Sequence, residues 1–188
     1  MSVLSQEQLQ KIGFRFLGSN VRISDKASFW NAASISIGDN TRIDDFCVLS
    51  AGDGGIEVGR NVHIAVYSSL IGNGRITLQD YSNLSGRVSI YSSNDDYSGE
   101  FMTNPTVDKK FTNVVHGPVT VGRHAIIGSG SIVLPNVTIG TGACVGALSL
   151  IKIDCEEFGV YAGIPAKLIK LRSKKLLEIE VSHKASRK

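Results

Sequence analysis

In the second half of the chain one β-branched aliphatic residue recurs every six positions: Val121, Ile127, Val133, Ile139, Val145 and Ile151. Glycine follows four of them, at Gly122, Gly128, Gly140 and Gly146. Four residues after each of the first five stands Ala125, Ser131, Val137, Ala143 or Ser149, all small or β-branched. An amphipathic helix repeats near 3.6 residues and a half-buried strand near 2, so the pattern belongs to neither. It fits a chain wound as a coil, in which each short strand sends one aliphatic residue inward and then turns. The small residue also points inward, where a corner leaves little room. Three such units close a triangular turn of about eighteen residues, the hexapeptide parallel β-helix.

The first half keeps the beat in groups of three: Ile37, Ile43 and Leu49, then Val58, Ile64 and Leu70, then Leu78, Leu84 and Ile90. Between groups the step lengthens, and the added residues, 50–55 and 72–74, are rich in turn formers. They are expected to bulge at one corner, and insertions on one side of a solenoid often mark its working face. From Tyr91 to Pro118 the beat is lost. A stretch this long inside a compact domain is either functional or disordered, and Tyr91, Tyr97, Phe101 and Phe111 argue for an ordered arm.

The expected organisation is therefore all-β, with short terminal helices. Residues 1–20 form a helical cap, with Ser5 as N-cap and Leu9 and Ile12 packing over the open end of the coil. Residues 21–164 form the coil, with the arm at 91–118. Residues 165–188 form a basic helix and tail, the helix starting at Pro165 and the chain fraying from 182 to 188. From Pro165 onward eight Lys or Arg oppose two Glu, which leaves the rest of the chain slightly acidic although the net charge is +3. That tail lacks the interleaved aromatics of a nucleic-acid surface, so a small polyanion such as a nucleotide cofactor is the expected partner. No apolar run reaches the length of a membrane span. The opening residues carry no signal-peptide pattern, so stable membrane insertion is not expected and the cytoplasm is the expected compartment. Cys47, Cys144 and Cys155 are odd in number and form no CxxC. They read as small core or edge residues rather than a disulfide frame or zinc site.

Pro118-Val-Thr-Val-Gly, Ile127-Gly-Ser-Gly-Ser-Ile-Val-Leu-Pro-Asn-Val-Thr-Ile-Gly and the closing Tyr161-Ala-Gly-Ile-Pro-Ala-Lys resemble the hexapeptide acyltransferases, in particular the bacterial sugar O- and N-acetyltransferases. The resemblance implies a left-handed β-helix and a homotrimer, with acetyl-CoA in the groove between neighbouring subunits. It implies transfer of an acetyl group to a hydroxyl or amine of a sugar or nucleotide sugar in surface polysaccharide biosynthesis. By position in that family's pattern, Ser129, Ala147, Lys152, Ala162 and Gly163 line the slot for the pantetheine arm. Lys167, Lys170 and Arg172 meet the phosphates, where Arg offers a fork and Lys a point charge.

Transfer needs an acceptor freed of a proton as it attacks the thioester, usually by a positioned His. Relatives carry a His where the chain leaves for the arm. Here that place reads Tyr91-Ser-Ser-Asn-Asp-Asp. His116, at the arm's other end, is the candidate base, and Asp95 and Asp96 are candidates to replace or orient it. Both acids also suit turn-forming roles. A sugar amine that arrives neutral would need no strong base. Asn83 and Asn94 are candidate sugar ligands. His63, one before Ile64, could face the groove, and His124 stands at a corner where Asn is common. Two other readings stay open. One is a zinc enzyme of the γ-carbonic-anhydrase kind built on His63, His116 and His124, although no metal is expected under the leading reading. The other is a non-catalytic scaffold on the same coil.

Overall fold

The structure, a computed structural model, describes residues 2–186. Three parallel sheets run the length of the chain and wrap into a three-sided prism of about seven turns. The first face stacks Phe16–Leu17, Ile35–Ile37, Ile56–Val58, Ile76–Leu78, Val119–Val121 and Val137–Ile139. The second runs from Arg22–Ile23 to Gly159–Gly163. The third runs from Ser28–Trp30 to Leu150–Ile151. The register places each beat residue on the equivalent residue one turn away: Leu78 pairs with Val58 and Val121, Leu84 with Ile64 and Ile127, and Ile90 with Leu70 and Val133. All of these are buried, and so are the small-residue slots Ala125, Ser131, Val137, Ala143 and Ser149. Cys47 fills one such slot, where burial pushes its thiol up to about 11. Cys144 lies on the outer side of the second face.

The prism begins earlier than the sequence predicts. Leu17, Ile23 and Phe29 already keep the six-residue step and pair with Ile37, Ile43 and Leu49. The coil therefore starts near residue 16, inside the stretch expected to be only a cap. The cap itself is helix α1, Gln6–Ile12, closed by reciprocal hydrogen bonds between Ser5 and Gln8. Leu9 is buried in the core and Ile12 packs against it.

The corner after the first face explains a recurring residue choice. Asn20, Asn40 and Asn61 hold φ between 55° and 57°, and Tyr81, His124 and Phe158 take the same left-handed conformation on later turns. Asn visits this region at low cost, so His124 does occupy an Asn corner. Close stacking also fixes glycine there, since a Cβ on Gly38 would lie 2.7 Å from the backbone of Gly59.

The C-terminal segment departs from expectation. Ala166–Leu171 is a strand, antiparallel to Gly159–Gly163, and Ile164 and Pro165 stand in the turn between them. The free edge of the second face takes up this segment, and the hydrogen bonds it offers outweigh the helical spacing of the side chains. The helix, α2, comes later, at Leu176–Ala185, so residues expected to fray from 182 are helical as far as Ala185, while 187 and 188 lie outside the described residues. Helix α2 turns an acid inward: Glu180 is 8% exposed, pairs with Arg123, with Lys184 at 2.7 Å, and accepts from His124 Nε2 at 2.7 Å. Burial, then the neighbouring Arg123, holds His124 below the ordinary histidine range, which fits a neutral ring donating to Glu180.

Leu84 is fully buried in the middle of the stack. Leu84→Ala is expected to cost about 2–5 kcal/mol, the usual range for an aliphatic truncation in a close-packed core. The midpoint of denaturant unfolding measures it.

Candidate active site

The corner between the second and third faces carries a stripe with almost no side-chain bulk. On successive turns it reads Ser85-Gly86, Gly128-Ser129 and Gly146-Ala147. A Cβ on Gly128 would fall 2.4 Å from the nitrogen of Ala147, and one on Gly146 would fall 3.0 Å from the Ala162 methyl. Ser129, Ala147, Ala162 and Gly163 thus share one shallow track. Its floor is tied by Ser149 Oγ, which accepts from Gly163 N at 3.1 Å and donates to the Gly146 carbonyl at 2.8 Å. The antiparallel pairing sets Lys167 opposite Ala162 and Lys170 opposite Val160. Arg172 lies apart from them. Its guanidinium donates to the Gly142 carbonyl at 3.0 Å, beside the corner that holds His124. Lys152 is exposed just past the third face, at the next corner.

Ser85 went unnoticed in the sequence. It stands in register above Gly128, and its hydroxyl has no protein partner among the described residues. The smallness of the column at this position was the available signal.

The third corner, between the third and first faces, collects every insertion. Residues 52–55, 73–75 and the arm all leave the prism there. Gly117 N donates to the Ser92 carbonyl and closes the arm's base, while Ser93–Asn94 pairs antiparallel with Val115–His116. A cavity of about 800 Å3 opens between the arm and the early turns, and Asp53, Asn73, Asn94, Asp95, Lys109 and His116 face it. His116 is exposed, its Nδ1 lies 2.8 Å from Ser93 Oγ, and its Nε2 makes no hydrogen bond among the described residues. The two candidate acids differ. Asp96 spends its carboxylate on Ser98 N and Oγ and on Gly99 N, a turn-forming set. The Asp95 carboxylate makes no hydrogen bond among the described residues and faces the cavity.

Asn83 is not near this cavity. On the outer side of the second face its Oδ1 lies 3.1 Å from His63 Nδ1, and His63 Nε2 lies 2.9 Å from Asp44 Oδ2. Arg42 Nε donates to the same acid at 2.6 Å. The structure therefore separates His63, His116 and His124 onto a face and two different corners. Among the described residues no three His, Cys, Asp or Glu side chains converge as metal ligands would.

Residues 118–152 match the bacterial transferase hexapeptide family (six repeats). The chain is 58% identical over 186 residues to dTDP-4-amino-4,6-dideoxy-D-glucose acyltransferase of Escherichia coli, covering 99% of this chain and 97% of the relative. The N-acyltransferase AntD of Bacillus cereus superposes with a TM-score of 0.94 at 43% identity, covering 98% of each chain. AntD has been solved with dTDP-4-amino-4,6-dideoxyglucose and coenzyme A, and with dTDP and 3-hydroxybutyryl-CoA. Among these structures are replacements of a serine and of an aspartate ten positions further on. The acetyltransferase domain of PglB from Neisseria gonorrhoeae shares the fold, with a TM-score of 0.60 at 19% identity.

Burial works to raise the Asp44 carboxyl, but hydrogen bonds from His63 and Arg42 outweigh it and leave the acid below its ordinary 3.8. A depressed carboxyl stabilises the fold above its unfolded value and loses that contribution as pH falls through the folded one. Asp44→Asn should thus lower the urea midpoint at pH 7 and flatten its decline below pH 4, which a midpoint series across that range measures.

Proposed function

The chain belongs to the bacterial hexapeptide-repeat sugar acyltransferases, and from that premise we propose that it acetylates the 4-amine of dTDP-4-amino-4,6-dideoxy-D-glucose with acetyl-CoA as donor. The observation that carries the reading is full-length likeness at 58% identity to an enzyme named for that acceptor. The small-residue track and the arm cavity are the two halves such a reaction needs. Pantetheine lies along Ser129, Ala147, Ala162 and Gly163, where bare backbone amides pair with its own. Lys167 and Lys170 take its phosphates from the neighbouring strand. Arg172 has a smaller share, since its guanidinium already serves Gly142.

The amine nitrogen attacks the thioester carbon, the C–N bond forms as the C–S bond breaks, one amine proton leaves, and the departing thiolate is protonated to free coenzyme A. Nothing in this step requires a strong base if the amine arrives neutral. Asp95, with a free carboxylate, receives the amine proton or orients the amine. Ser85 and Asp95 stand ten residues apart, the spacing of the serine and aspartate replaced in AntD. His116, held by Ser93, completes the acceptor pocket together with Asn94. One face of the prism separates the track from the cavity. We therefore place the working site between copies in a homotrimer, with the arm of one copy reaching the track of the next. The product, an acylated nucleotide sugar, suits a later glycosyl transfer in surface polysaccharide assembly in the cytoplasm.

Thiol release from acetyl-CoA with the dTDP-aminosugar, set against free aminosugars and nucleotide sugars bearing only hydroxyls, tests the acceptor. Turnover confined to the hydroxyl acceptors would end the reading. Asp95→Asn is expected to cut kcat by about 10²-fold or more, the usual weight of a positioned proton acceptor. Asp96→Asn should leave it nearly unchanged, and His116→Ala separates a pocket role, seen in KM, from proton transfer, seen in kcat. Sedimentation equilibrium tests the assembly, and a fully active monomer would remove the shared site.

A further inference from the structure

At the corners after the first and second faces, the second residue carries a backbone N–H that the stacking of turns does not use. After the first face, the N–H groups of Ser19, Arg60 and Arg123 donate to side chains of adjacent turns: Asp39 Oδ1 at 2.7 Å, Asp80 Oδ1 at 2.7 Å and Gln79 Oε1 at 3.0 Å. The equivalent groups along the track, on Gly86, Ser129 and Ala147, meet no protein acceptor among the described residues. They are donors open to whatever lies in the track.

Buried hydroxyls decide how such a group is aimed. Ser68 is fully buried on the turn before Ser85. Its Oγ donates to the Ser85 carbonyl at 3.1 Å and accepts from Val88 N at 3.2 Å, so it is inserted where turn 85–88 would otherwise close on itself. Ser131 does the same in turn 146–149, at 3.0 Å and 3.1 Å. Turn 128–131, between them, has Val88 in this slot, and Ser131 N closes directly on the Gly128 carbonyl at 3.3 Å. In a planar trans peptide the carbonyl and the next N–H point opposite ways. Drawing the Ser85 carbonyl inward therefore turns the Gly86 N–H outward. The first corner shows the device with its acceptor in place. Thr41 Oγ1 donates to the Gly59 carbonyl at 2.8 Å and accepts from Val62 N at 3.3 Å, and the Arg60 N–H that follows meets Asp80.

We infer, on the reading of the protein as an acetyl-CoA-dependent transferase, that Ser68 is a positioning residue for acyl transfer, holding the Gly86 N–H toward the thioester oxygen. The coenzyme's phosphates lie toward Lys167 at the C-terminal end of the track, so the thioester lies at its other end, where the last bare turn is Ser85-Gly86. As the amine nitrogen bonds to the thioester carbon, an electron pair moves onto the carbonyl oxygen, and the Gly86 N–H donates to it. The pair returns as the C–S bond breaks, and the amine proton ends on the departing sulfur. A fixed donor counts most while that oxygen carries charge. Ser131 holds the Ala147 N–H by the same means nearer the phosphates, where no charge develops, so its share lies in binding pantetheine.

Kinetics of thiol release with acetyl-CoA and the dTDP-aminosugar, together with thermal unfolding, test this on the full-length protein. Ser68→Ala should cut kcat about tenfold or more and leave the KM for acetyl-CoA nearly unchanged, since complete loss of such a donor costs about 10²–10³. Ser131→Ala should raise that KM and keep kcat. Thr41→Val removes the same kind of bridge at the first corner, so it should lower the thermal midpoint as Ser68→Ala does, with kcat kept. Ser68→Cys should recover part of the rate, because the Cys47 thiol in the equivalent slot still reaches the Ala65 carbonyl at 3.2 Å. It also carries the comparison if Ser68→Ala does not fold. A wild-type kcat in Ser68→Ala overturns the inference. So does a loss of kcat matched by Thr41→Val, which would mean general loosening, or a change confined to the acetyl-CoA KM. No thiol release by the wild-type protein would overturn the transferase reading itself, a result distinct from these.

Discussion

Everything in this molecule depends on the hydrogen bonds that one turn makes to the next. A strand of two or three residues has no stability of its own. It is held here because the turn above and the turn below accept and donate in register, and because the residue it points inward meets its counterpart on both. The prism is thus quasi-one-dimensional, and its two ends are its weak points. Helix α1 with Leu9 closes one end. The hairpin of Gly159–Gly163 with Ala166–Leu171 closes the other and covers the last open edge of the second face.

The same rule decides where the chain can afford variety. A change inside the stack is felt by two neighbours, whereas a corner opens to solvent. All the insertions gather at one corner, and at a second corner the two positions that follow the strand are pared to Gly, Ser and Ala on its later turns, while the corner carries aromatic and cationic residues on its earlier ones. These are two different ways of making room for ligands. One builds walls with an arm, and the other strips side chains away so that backbone amides lie within reach. The first corner, with its run of Asn, does neither, and there the C-terminal helix is anchored through Glu180.

Where expectation and structure part, the cause is a long-range partner. The segment 166–171 has helical spacing, but an unpaired sheet edge lies beside it and offers backbone bonds that a surface helix could match only internally. Glu180 is one of two acids in an otherwise basic C-terminal segment, yet Arg123, His124 and Lys184 meet it and bury it. Asn83 and Asn94 look alike in a sequence, but one is held in a ladder with His63 and Asp44 on a face, and the other lines the arm cavity. Asp95 and Asp96 are neighbours with opposite fates, since Asp96 closes a turn and Asp95 does not.

The sequence by itself determined the coil, its phase and its interruptions, because a residue that must point inward every sixth position leaves a mark no other architecture shares. Resemblance to a known family, not the repeat itself, singled out Ser129, Ala147, Ala162 and Gly163, and only the register of the turns added Ser85 to their track. Only the tertiary structure decided which polar residues meet. That required knowing that residues near twenty positions apart lie one turn apart, that the first turn begins at Leu17, and that the arm closes Ser93 against His116. Hydrogen bonds and ion pairs act over a few ångströms, and the winding of the chain, including insertions of irregular length, sets those distances.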